Sequence, residues 1–98
     1  SSCAGVATNI NYQDPERCAR VYAPEAMKIY SKLMQKADPQ AVLNNLLWEI
    51  GNSPPELVEI VTWTVDFAAR QAEVPVYMPK WFQDNYIAHC KAGAYKNK

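Results

Sequence analysis

Glycine is scarce in this chain: three residues in 98, none close to another. A loop that cradles phosphate needs several glycines within a few positions, so the P-loop and dinucleotide fingerprints are excluded. Histidine is scarcer still, with His89 alone. A metal centre needs several His, Cys or carboxylate ligands at short spacing, and no stretch supplies them, so neither a metal nor another cofactor is expected. One histidine also leaves nucleophilic catalysis short of a base. Cys90 follows it directly, but neighbouring residues on a helix point about 100° apart and do not face each other.

Net charge is missing too. Ten Lys and Arg offset ten Asp and Glu, which offers little to a phosphate backbone, so nucleic acid is not an expected partner. No apolar run approaches the length of a membrane-spanning helix. The longest extended pattern is Val74-Pro75-Val76-Tyr77, too short to suggest a sheet.

Proline is what the chain does have, and its placement is regular. It occurs in Asp14-Pro15-Glu16, Pro24-Glu25, Asp38-Pro39, Ser53-Pro54-Pro55-Glu56 and Met78-Pro79. Proline suits the first helical position, where its missing N–H would have no partner anyway. Asp or Ser just before it can accept the free amides of the first turn. These signals predict helices over 15–22, 24–36, 39–50, 54–71 and 79–92. Ser53 and Glu56 have capping-box spacing. Gly51 and Gly93 are expected stops. The Ala23-Pro24 step is expected to separate the first two helices, because the residue before proline avoids helical geometry. The alternative is one kinked helix reaching Lys36.

Apolar residues recur at helical spacing along these segments. Cys18, Val21 and Tyr22 are expected to face inward from the first. Met27, Tyr30, Leu33, Met34 and Ala37 stripe the second, and Val42, Leu43, Leu46, Leu47 and Ile50 make the cleanest stripe, on the third. Leu57, Val58, Ile60, Val61, Val65, Ala68 and Ala69 wrap most of the fourth, which predicts a central helix touching several neighbours. Phe82 and Tyr86, with His89 or Cys90, line the fifth. The expected fold is all-α: a compact bundle of four to five short helices. Residues 1–13 are expected to be an arm docked through Ile10 and Tyr12, residues 14–93 a single helical domain, and residues 94–98 a basic tail.

Three cysteines bear on the compartment. Cys18 and Cys90 lie near opposite ends of the expected domain. A bond between them would close a loop of about 70 residues and contribute about 4 kcal/mol on the chain-entropy account. That pairing is the expected staple; Cys3–Cys18 pairing and three reduced thiols remain open. Cys3 would then be a free or intermolecular thiol, or a lipid-attachment site, since Ser1-Ser2-Cys3-Ala4 resembles the end of a lipoprotein box.

Carboxylates offer little chemistry. Glu56 is accounted for by the expected capping box, and Glu59 and Asp66 share a polar strip with Trp63 between them. The tryptophans are more informative, because tryptophan that cannot be wholly buried is enriched at recognition surfaces. Trp63 falls on that strip and Trp81 starts the last helix, just after Tyr77 and Met78. Trp48 lies off the main stripe of its helix and is assigned to the core. The proline-stiffened stretch 74–82 would lose little entropy on binding.

In size, helix content and cysteine placement the chain resembles small periplasmic helical proteins held by one disulfide, such as acid-stress chaperones and immunity proteins. The resemblance rests on no motif and transfers no residue. The expected function is a non-enzymatic, protein-binding module of the periplasm or secreted space, of inhibitor, immunity or envelope-assembly type. Its expected partner surface is Trp63, Trp81, Tyr77, Met78, Glu59 and Asp66. The partner would be another protein, a second copy of the chain included. Two alternatives are an acid-responsive chaperone using carboxylates and His89, and a carrier of a small apolar ligand lined by Met27 and Met34.

Overall fold

The computed structural model describes residues 10–96. A π-helical turn, Cys18–Tyr22, runs without a break into α1 (Ala23–Met34). Then follow α2 (Pro39–Ile50), α3 (Pro55–Ala72), α4 (Pro79–Lys91) and a 3₁₀ turn, Ala94–Lys96. The described residues are all helix and connector, with no strand.

The expected interruption at Pro24 is therefore absent, and the π turn is the reason. An α-helix continuing through Pro24 would leave the Arg20 carbonyl without a donor and press the proline ring against it. Instead the Ala23 amide donates back to the Cys18 carbonyl, one residue further than in an α-helix. This wider turn absorbs the proline. It also carries Val21 further round the axis from Cys18, and Val21 is exposed rather than turned inward. The buried stripe runs through Cys18, Tyr22, Ala23, Ala26, Ile29, Tyr30 and Leu33, while Met27 and Met34 are only half-buried.

Three ends illustrate how local chemistry sets the boundaries. At the close of α1, Lys36 adopts φ +73°, the Ala37 amide donates to the Lys32 carbonyl at 3.1 Å, and the Lys36 amide donates to Leu33 at 3.0 Å. This is a Schellman cap with lysine where glycine is usual. At the start of α2, Asp38 Oδ2 accepts from the Ala41 amide at 3.0 Å, as its sequence position predicts. Before α3 the expected capping box does not form. Pro54 takes the N-cap position, which pushes Ser53 one place outside it. The Ser53 hydroxyl instead donates to the Ile50 carbonyl and closes α2.

The core forms where α1, α3, α4 and the π turn meet. Its fully buried side chains include Tyr30, Tyr86, Phe82 and Ile60. The Cys18–Cys90 disulfide fastens the π turn to the last turn of α4 across a sequence separation of 72. Among the described residues no helix is long and apolar enough to cross a membrane.

Both edges of the domain differ from expectation. Ile10 is exposed, and docking falls to Tyr12 and Gln13. The Tyr22 hydroxyl donates to the Tyr12 carbonyl at 2.6 Å, and Arg17 lies over the Tyr12 and Tyr22 rings. At the other edge Tyr95 is buried while Lys96 after it is exposed, so the packed chain extends through Tyr95 into what is expected to be tail. Cys3 and residues 97–98 lie outside the described residues.

Candidate functional site

Seven large hydrophobic side chains are exposed among the described residues, and four of them, Val74, Val76, Tyr77 and Trp81, fall within one stretch of eight positions. Pro75 and Pro79 punctuate this stretch and restrict its backbone. It bridges α3 and α4, and both ends are secured. The Val74 amide donates to the Gln71 carbonyl at 3.0 Å, and the Phe82 amide to Met78 at 2.9 Å.

The middle is held by α1. The Met78 amide donates to the Tyr30 hydroxyl at 2.9 Å. The Tyr77 ring stacks on the Tyr30 ring with centroids 5.4 Å apart, and Tyr30 stacks in turn on Phe82 at 4.4 Å. The Tyr77 and Ser31 hydroxyls share a hydrogen bond of 3.1 Å. The outer part of Tyr77, about half its surface, still faces solvent. Trp81, 48% exposed, projects from the first turn of α4. Beside it Lys80 and Asp84 form a solvent-exposed ion pair at 3.0 Å. The result is an exposed apolar surface on an anchored backbone.

The other residues expected at this surface are placed elsewhere or engaged. Trp63 is half-buried in the continuation of this aromatic network beyond Phe82, against Phe67, Tyr86 and Tyr95 at centroid distances of 5.2, 5.1 and 6.1 Å. Glu59 Oε1 accepts from the Gln13 side chain at 2.8 Å. Asp66 pairs with Arg70 at 3.0 Å along the exposed side of α3. Met78 is half-buried, its backbone rather than its side chain making the anchoring bond. The sequence stripe included Tyr30 as a core residue but gave no sign of its hydroxyl's role, because its partner lies 48 positions away.

The buried polar groups are structural in their contacts. Tyr86 Oη and Thr64 Oγ1 share a 2.7 Å hydrogen bond inside the core. Burial pushes the Tyr86 hydroxyl well above the ordinary tyrosine range. Tyr95 is also raised, first by burial and then by Tyr22 and Glu59 nearby. His89 is exposed, its ring 5.5 Å from that of Phe67. No group of three or more His, Cys, Asp or Glu among the described residues is arranged to hold a metal ion. A groove of about 620 Å³ lies between α1 and α2, and neither Met27 nor Met34 lines it.

Comparison with protein-family models, with curated proteins and with solved structures yields no match to this chain.

Proposed function

We propose that this protein is a non-enzymatic binding module, acting in the periplasm or secreted space, that grips another protein through the stretch 74–81. The observation that carries the reading is the concentration of Val76, Tyr77 and Trp81 on a surface already anchored by Tyr30. Large apolar groups exposed together mark interaction sites. Tyr and Trp at the centre of such a patch are the residues that most often dominate binding energy. Pre-fastening the backbone lowers the ordering cost that association must overcome. Trp63, Glu59 and Asp66 are left out of the contact surface, because the first packs among aromatics and the others have partners within the fold. The disulfide supports an oxidising compartment, where such bonds persist.

The test immobilises the wild-type protein and the Trp81→Ala and Val76→Glu variants and exposes each to the periplasmic or secreted fraction of the source organism. A protein held by the wild type and lost from both variants, with melting temperatures of the three unchanged, supports the assignment. Equal retention by all three removes it.

A further inference from the structure

The structure leaves one helix incompletely covered. α2 carries a single charged side chain, Glu49, in 12 residues, yet none of its residues is buried. Trp48 is 84% exposed. A helix this apolar normally hides a face in its own core. Here it leans on α3 and leaves the groove toward α1 open. Ile29, Val42 and Leu46 line that groove as apolar groups, and Trp48 stands at its edge.

Charge around the groove indicates what fits it. The α1 edge carries Lys28 and Lys32, and the α2 edge carries Asp38 and Glu49. Glu25, also on the α1 edge, is drawn to Lys28 at 3.4 Å. The patch thus sets an apolar centre between a net-positive margin, carried by Lys32 once Glu25 pairs with Lys28, and a negative margin of Asp38 and Glu49. Turned through a two-fold axis that runs along the groove, the patch complements itself: the positive margin of one copy meets the negative margin of the other. Self-complementarity of this kind is what a symmetric dimer interface requires. The balanced net charge of the chain leaves no long-range repulsion between copies.

We propose that the α1–α2 groove is a dimer interface, and that its occupant is α2 of a second copy of this chain, with each Trp48 entering the other's groove. This surface is separate from the stretch 74–81, so the two assignments stand or fall independently.

Sedimentation equilibrium of the whole protein over a micromolar to millimolar range tests it. Wild type is expected to shift from monomer to dimer. Trp48→Ala, which leaves the core intact because the side chain is exposed, is expected to weaken the dimer about tenfold or more. Lys32→Glu and Glu49→Lys should each weaken it, and the two combined in one chain should restore it. Trp81→Ala should leave it unchanged. A wild-type chain that stays monomeric throughout, as it would if the groove served a different protein, overturns the proposal. So does a dimer indifferent to Trp48→Ala, a charge reversal that is not rescued, or a dimer lost through Trp81→Ala.

Discussion

The hydroxyl of Tyr30, in the middle of α1, accepts the backbone amide of Met78 at 2.9 Å. One side chain thereby holds the loop between α3 and α4 to a helix on the far side of the sequence, while its ring supports both Tyr77 and Phe82. Removing only the hydroxyl separates these two roles. Tyr30→Phe should keep the stack and leave the Met78 amide, partly buried, without its partner. The expected cost is about 1 kcal/mol of stability. Amide hydrogen exchange at Met78 should speed up more than at core positions of α3. Unchanged protection at Met78 would show that the hydroxyl does not anchor the loop.

Reduction should be far more damaging. Opening the Cys18–Cys90 bond, with its sequence separation of 72, releases a large loop in the unfolded chain and should cost about 4 kcal/mol. For a domain of this size that corresponds to a fall in Tm of roughly 15 °C or more. Thermal melts with and without a thiol reductant measure it directly, and a fall of only a few degrees would contradict the expectation.

Lys36 offers a gain. A side chain at φ +73° carries a steric penalty that glycine avoids. Lys36→Gly should stabilise the protein by about 0.5–1 kcal/mol, and Lys36→Val should destabilise it by at least as much, because β-branching worsens the same clash. Denaturant midpoints for the two variants should move in opposite directions.

Alkaline pH should weaken the fold through Tyr86. Its hydroxyl is raised by burial, with the Thr64 bond only partly opposing that. The stabilisation is complete below about pH 10, where an unfolded tyrosine is still neutral. Above it the unfolded chain ionises while the folded residue does not, so stability falls by up to about 1.4 kcal/mol per pH unit until the folded pKa is passed. Denaturation at pH 9, 10 and 11 should trace this decline. The decline should be shallower in the double variant Tyr86→Phe, Thr64→Val, which removes the titrating group without orphaning its partner.

Much of the architecture was written in local signals. Asp38-Pro39, Gly51 and Gly93 mark helix ends by stereochemistry that needs no tertiary context, and the structure uses all three. Cys18 and Cys90 fall in the first and last expected helices, which favours their pairing while leaving Cys3–Cys18 open, and the structure joins Cys18 to Cys90. The π turn was harder: its register change is a compromise between Pro24 and a buried stripe, and proline alone reads equally well as a break. Ser53 reads as the cap of α3, but Pro54 and Pro55 compete for the same start and Pro54 takes it. Tyr95 reads as part of a charged tail because the Trp63 ring it packs against lies 32 positions away. Trp48, off the main stripe, is expected in the core only as a large apolar filler, and its 84% exposure corrects that: no neighbour among the described residues covers its side of α2. At the candidate surface, Pro75 and Pro79 mark a stiff connector in the sequence, while the Tyr30 anchor is a long-range contact with no local trace.

α4 is pinned at both ends by unlike means: a covalent bridge at Cys90 and aromatic stacking at Phe82. The two fastenings lie eight residues apart on the helix, about 12 Å along its axis. A reductant therefore strikes the end remote from Tyr77, and a protein seated on Tyr77 and Trp81 clamps the end that reductant leaves alone. A partner bound there would stabilise the oxidised and the reduced chain alike, so loss of the partner and loss of the disulfide would lower stability by separate, additive amounts.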